Sequence, residues 1–325
     1  MTKIPLPDLQ PTALDQITGN SPVLRQAIAL ARAVAAVDST VLITGESGTG
    51  KELIAQGIHQ SSPRANGPLI MINCATVSEN LQNAELFGHV KGAFTGAVRD
   101  RPGLFEAAHE GTLFLDEVAE LGASAQATLL RAVQEGQINR IGEYQKRKVD
   151  VRIIAATHRD LDTAMRKRAF RTDLFFRLNV VNIALPPLRE RDSDTLLLAQ
   201  QFIAEYNRKM NKSITGLSDE VAQAFLNYTW PGNVRELRNV IESSVLLARG
   251  EVIEIGDLPA CLLKQVPSVL KTAPRMAYRL GHAEVRRKIS QALVKARGNR
   301  GEAAEMLGIS RSTLWRRIKD FSLDD

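Results

Sequence analysis

Between Ala27 and Leu188 short apolar runs alternate with longer stretches of mixed polarity. The runs are "TVLITG" (Thr40–Gly45), "PLIMINC" (Pro68–Cys74), "GTLFLDEV" (Gly111–Val118), "VRIIAATH" (Val151–His158) and "VVNIALPPL" (Val180–Leu188). They are almost unbroken in Val, Ile and Leu rather than alternating, which is how strands buried on both faces read. Between them lie stretches with helical spacing, such as "KELIAQGIHQ" and "AQATLLRAVQEG". The second of these puts Leu129, Leu130 and Val133 on one face. Strand and helix in alternation predict a parallel, three-layer α/β domain. After "PPLRER" the pattern becomes helical from Asp194 to about Arg249, with "WPGN" (Trp230–Asn233) as an internal turn. "LPACLLKQVPSVLKTAPR" has prolines and no period, so it reads as a linker. Three helices are predicted from Gly281 onward. The expected boundaries are 1–16 for a short N-terminal extension, 17–188 for the α/β part, 189–259 for a helical subdomain, 260–280 for the linker and 281–325 for an all-α domain.

Composition adds limits. A chain of 325 residues with 44% hydrophobic and 24% charged positions has enough apolar material for a core. No apolar run is long enough to span a bilayer, and the start "MTKIPLPDLQPTALD" lacks the apolar segment of a secretory signal. Cys74 and Cys261 are too few for a disulfide framework. A cytoplasmic protein with no membrane partner is expected. The net charge of +6 is unevenly spread: residues 271–325 carry thirteen Lys/Arg against six Asp/Glu, and the rest of the chain is close to neutral. A basic tail on a neutral body points to a nucleic-acid module at the C-terminus.

Two segments carry phosphate chemistry. "VLITGESGTGKE" places Gly45, Glu46, Ser47, Gly48, Thr49, Gly50, Lys51 and Glu52 directly after a predicted strand and before a predicted helix. Glycines let backbone N–H groups converge on an anion, the helix start adds positive potential, and Lys51 reaches the outer phosphates. Glu52 stands where Ser or Thr ordinarily meets Mg²⁺, so the metal needs another ligand. Asp116, at the end of "GTLFLDEV", supplies it, and Glu117 is placed to take a proton from the attacking water.

The third segment is "GHVKGAFTGA" (Gly88–Ala97). Its glycines suit neither a helix nor a strand, so it reads as a loop carrying one aromatic side chain for contact. With "GESGTGKE", "ELFGHVKGAFTGA", "GTLFLDEV", "FRTDLFFRLNV", "LPPLRER" and "WPGNVREL" together, the chain from about Ile17 to the C-terminus resembles the bacterial enhancer-binding proteins, the AAA+ activators of sigma-54 RNA polymerase. The resemblance implies an AAA+ P-loop NTPase with a three-layer parallel sheet, an α-helical lid and a C-terminal helix-turn-helix. It implies ATP and Mg²⁺ as cofactors, with Lys51, Asp116 and Glu117 in the roles above. Asn73 matches the switch asparagine that restrains the catalytic glutamate. Thr157 and His158 fall on the γ-phosphate sensor strand, Arg235 on the lid's sensor arginine, and Arg171 and Arg177 on the arginine fingers. An arginine supplied in trans needs a neighbour, so a homo-oligomer is implied, a dimer on DNA and a hexameric ring when active. Gly92, Ala93, Phe94, Thr95, Gly96 and Ala97 match the loop with which the family grips sigma-54, with Phe94 and Thr95 at the tip. Leu121–Tyr144 resembles the second pore loop.

"NRGEAAEMLGISRSTLWRRIKDF" (Asn299–Phe321) reads as helix, turn, helix. Ala303, Ala304 and Leu307 face inward, Gly308 makes the turn and Ser310 caps the second helix. Leu314, Ile318 and Phe321 share one face of it, leaving Arg311, Ser312, Arg316 and Lys319 on the other. Thr313 and Arg317 complete the DNA-contacting set, with Arg317 assigned to phosphate. The module resembles the Fis type and implies enhancer DNA, an inverted repeat, as partner. Members of the family often carry a regulatory domain ahead of the ATPase, and the short extension leaves two alternatives: restraint by a separate regulatory protein in trans, or a regulatory domain absent from this chain. The alternative is a DNA-binding regulator that uses ATP only for assembly; the intact Asp116, Glu117, Arg171, Arg177 and GAFTGA argue against it.

Overall fold

The computed structural model describes residues 12–191 and 194–259, together with Leu262 and Ala296. The chain divides into two units, Met1–Pro259 and Ala260–Asp325, and the architecture described is that of the first. The helix-turn-helix residues Arg311, Ser312, Thr313, Arg316, Arg317 and Lys319 lie outside the described residues.

Each apolar run folds as a strand: β1 (Val41–Thr44), β2 (Leu69–Asn73), β3 (Thr112–Asp116), β4 (Arg152–Thr157) and β5 (Val181–Ala184). All pair in parallel, in the spatial order β2-β3-β4-β1-β5. Because side chains alternate along a strand, the two faces gather different residues. Leu42, Leu113, Leu115, Ile153 and Ala155 enter one core. Val41, Ile43, Phe114, Ile154, Ala156 and Ile183 enter the other.

Helices cover both faces. Ala27, Ala31 and Val34 of α1 (Pro22–Ala35) and Ile54, Ala55 and Ile58 of α2 (Lys51–Gln60) pack on the second core. On the first lie Leu86 and Phe87 of α3 (Glu79–Phe87), Leu129 and Leu130 of α4 (Ala123–Glu135), and Leu174 and Leu178 of α5 (Thr172–Leu178). Local chemistry sets the ends: Pro22 opens α1 at its first position. Gly136, left-handed at φ +63, closes α4.

The helical subdomain comprises α6 (Asp194–Met210), α7 (Asp219–Asn227) and α8 (Asn233–Leu247). Ser218 caps α7 by accepting from the Val221 N–H. Fully buried Trp230 donates from Nε1 to the Phe225 carbonyl and meets Phe225 and Tyr228 edge-on. A purely helical reading missed one feature here, the parallel pairing of Gly216–Leu217 with Val252–Ile253. Two-residue strands are too short to leave a period. Among the described residues no helix is long and apolar enough to cross a membrane.

Candidate functional site

The loop from Gly45 to Gly50 connects β1 to α2 and uses backbone shapes that favour glycine. Gly48 and Gly50 have φ of +78 and +103. A Cβ on Gly50 would meet nothing within 4 Å, so open space lies in front of the helix start. Lys51, only 7% exposed, turns its Nζ onto the Gly45 and Glu46 carbonyls at 2.9 and 3.1 Å. Burial pulls its pKa down, opposed by the charges of Glu117 and Asp116. A buried cation at an open, N–H-lined helix start fits the phosphates of a nucleotide.

Asp116 and Glu117 end β3 opposite this loop. Glu117 occupies the left-handed region, φ 53 and ψ 48, a conformation that costs a non-glycine residue about 1–3 kcal/mol and clusters at active sites. Its Oε1 lies 3.8 Å from Lys51 Nζ. Half-buried Asp116 has its pKa raised, chiefly by desolvation and then by the Glu117 charge. A carboxylate so placed fits a divalent cation, whose charge would offset both effects. Glu52 accepts from Gln56 on its own helix.

The resemblance assigns Asn73 the restraint of Glu117 until nucleotide is in place. Asn73 ends β2 and donates from Nδ2 to Asp116 Oδ2 at 2.9 Å, so it holds the aspartate and not Glu117. The register explains this: Asn73 pairs directly with Asp116 across the two strands. Glu117 is held instead by His158, through the backbone N–H at 3.1 Å and Nδ1 at 2.6 Å. Thr157 is fully buried, and its carbonyl accepts from the Gly45 N–H, tying β4 to the phosphate loop.

The lid reaches the same loop. Arg235 Nη1 donates to Ser47 Oγ at 3.1 Å. Asn233, buried and at φ +51, donates from Nδ2 to the Ser47 carbonyl and to Glu46 Oε2, while its Oδ1 accepts from the Leu188 N–H at 2.7 Å. Arg189 grips the Glu46 carboxylate through both terminal nitrogens, and buried Arg191 donates to the Thr49 and Pro186 carbonyls. Burial lowers Arg191's pKa to about 10. Sequence reasoning assigned no role to Asn233, Arg189 or Arg191; "WPGN" and "LPPLRER" were visible as motifs without their partners.

GAFTGA forms a compact turn. Gly92 and Gly96 sit at φ +81 and +103, and the Gly92 N–H donates to the Ala97 carbonyl at 2.8 Å, closing the base. Phe94 is 37% exposed and meets buried His89 edge-on at 4.9 Å. Thr95 is exposed. Ala97, expected as part of the gripping surface, is buried and anchors the loop instead. The segment after α4 lies alongside: Val90 N–H donates to the Ile141 carbonyl, and Gly142 has room for no side chain against Ala93 and Val90. Tyr144 of that segment is fully exposed. Arg171 pairs with Asp173 at 2.8 Å, and both Arg171 and Arg177 are exposed at α5, beside exposed Phe176.

Residues 17–184 match the model of the sigma-54 interaction domain, 189–274 that of the AAA+ ATPase lid domain and 286–321 that of the Fis family of bacterial regulatory proteins. The chain belongs to the sigma-54-dependent transcriptional activators. It is similar to the regulatory protein AtoC of Escherichia coli, 45% identical over 95% of this chain and 68% of that protein. It is also similar to the transcriptional regulatory protein ZraR of Klebsiella oxytoca, 44% identical over 94% and 68% respectively. Among solved structures, NtrX from Brucella abortus in complex with ATP is 32% identical with a TM-score of 0.71, covering 94% of this chain and 69% of that one. As a sigma-54 activator, the chain joins an AAA+ ATPase domain, its lid and a Fis-type DNA-binding module.

Proposed function

We propose that this activator hydrolyses ATP at the junction between protomers of a ring and uses each cycle to drive GAFTGA against sigma-54, converting closed promoter complexes to open ones. The Gly45–Gly50 loop and Lys51 bind the phosphates. Asp116 would hold Mg²⁺, which when bound would supply charge neutralisation at those phosphates. Glu117 takes the proton of the attacking water, while Arg171 and Arg177 reach the site of a neighbouring protomer. Enhancer DNA is bound through Arg311, Ser312, Thr313, Arg316, Arg317 and Lys319, in the cytoplasm.

The observation that carries this reading is the exposed Phe94–Thr95 tip between two left-handed glycines. The proposed route from the nucleotide site to that tip runs through hydrogen bonds beside the first core. Asn73 joins Asp116 to the segment leading into α3, and α3 runs directly into Gly88. Buried Gln82 of α3 donates to the Glu120 carbonyl and accepts from the Gly122 N–H, both just past Glu117. A shift at Asp116-Glu117 therefore loads α3, and α3 carries GAFTGA. Switching needs an element with different contacts in two states, and Phe94 on or off His89 supplies it. Thr95→Ala tests the reading: ATP turnover stays within about twofold of wild type while open-complex formation is lost. Normal open complexes from that variant would refute the loop's role.

A further inference from the structure

His158 lies at the end of β4, where family resemblance assigns a contact with the γ-phosphate. Its bonds point to the carboxylate instead. Glu117 Oε2 receives both the His158 backbone N–H, at 3.1 Å, and Nδ1, at 2.6 Å. Facing a carboxylate, which when ionised only accepts, Nδ1 is assigned as the donor. Two donors fill the two lone pairs of Oε2 and leave that oxygen no place for a water's hydrogen.

The other oxygen is placed differently. Oε1 faces Lys51 Nζ at 3.8 Å, on the side of the phosphate loop. One oxygen is anchored and the other is aimed. Asn73 does not share this work, because its amide is committed to Asp116 and the Ala75 N–H. Arg159, next along the chain, is committed to Glu120 at 2.6 Å and leaves His158 as Glu117's side-chain donor on the β4 side. The His158 side chain is 44% exposed while Glu117 is 12% exposed, so the imidazole bridges the site's rim to its buried base.

We propose that His158 is a positioning residue for Glu117: it pins Oε2 so that Oε1 alone addresses the water beside the phosphates. The inference rests on the reading of Glu117 as general base. A base must lie within hydrogen-bond reach of its proton, and a misplacement of about 1 Å can cost on the order of a hundredfold in rate. A residue that acts this way alters turnover and leaves nucleotide affinity alone. A residue that touches the γ-phosphate alters the preference for ATP over ADP.

The test uses the full chain with Mg-ATP and compares wild type, His158→Ala, His158→Asn, Glu117→Gln and the double variant His158→Ala/Glu117→Gln. His158→Ala is expected to lower kcat about tenfold or more, with KM for ATP and the ATP/ADP affinity ratio within about twofold of wild type. Unchanged ADP affinity also reports that the variant is folded. His158→Asn recovers most of the loss, because its amide N–H occupies the place of Nδ1–H. In the Glu117→Gln background, His158→Ala costs nothing further. Wild-type kcat in His158→Ala would overturn the proposal, as would a loss confined to ATP affinity or one that multiplies with Glu117→Gln. Full turnover by Glu117→Gln would overturn the general-base reading itself, and the inference with it.

Discussion

Asn233→Ala breaks the joint between lid and phosphate loop, and its cost can be worked from the contacts. The Leu188 N–H, on a fully buried residue, loses the acceptor 2.7 Å away; an orphaned buried donor costs about 1–3 kcal/mol. Two further bonds, to the Ser47 carbonyl and Glu46 Oε2, contribute about 1 kcal/mol each. Alanine also tolerates the left-handed φ of +51 less well than asparagine does, adding about 1 kcal/mol. The total is about 4–6 kcal/mol, a large share of a typical domain's stability of roughly 5–15 kcal/mol. Asn233→Gly loses the same bonds but relieves the backbone, so it is less destabilised by about 1 kcal/mol. Urea unfolding followed by circular dichroism measures both, and steady-state kinetics of Asn233→Ala should show KM for ATP raised several-fold. A loss below about 1 kcal/mol for Asn233→Ala, or a glycine variant as unstable as the alanine one, would refute the assignment.

Two other perturbations follow from the same geometry. Gly48→Ala places a Cβ 2.3 Å from the Gly232 carbonyl oxygen and 3.1 Å from Arg235 Cβ, at a φ of +78; ATP affinity by fluorescent-nucleotide titration should fall about tenfold or more, and affinity within twofold of wild type would contradict the lid contact. Glu106 is bonded by Arg140 at 2.7 and 2.8 Å, which holds its pKa below the usual 4.5. That stabilisation is present above the ordinary carboxylate range and is lost as pH falls through the depressed value. Glu106→Gln should therefore trail wild type by about 2 kcal/mol at pH 7 and converge with it in acid; an equal gap in urea unfolding across that range would contradict the pairing.

The sheet was legible because strands buried on both faces must be almost wholly apolar, and all five runs between Thr40 and Leu188 fold as read. The placement of the Gly45–Gly50 loop between β1 and α2, and of Asp116-Glu117 at the end of β3, was legible for a related reason, since both lie in contiguous motifs. What stayed hidden are bonds between motifs. Asn233 meets Glu46 across 187 positions, and Arg191 meets Thr49 across 142; no local period reports such partners. Asn73 shows the limit at finer scale. Sequence offers it two adjacent carboxylates, and only strand register selects Asp116. His158 likewise reads as one more polar residue at a strand end until the left-handed turn at Glu117 brings the carboxylate back onto it. Ala97 belongs to the same conspicuous motif as Phe94, yet burial separates anchor from tip.

The central claim is that hydrolysis, and not nucleotide binding alone, drives the loop to remodel sigma-54. Its most direct measurement is promoter melting, followed by permanganate reactivity, in closed complexes of sigma-54 RNA polymerase given this chain with either Mg-ATP or Mg-ADP. Melting with Mg-ATP and none with Mg-ADP is the predicted result. Equal melting with Mg-ADP, or none with Mg-ATP, would contradict the account.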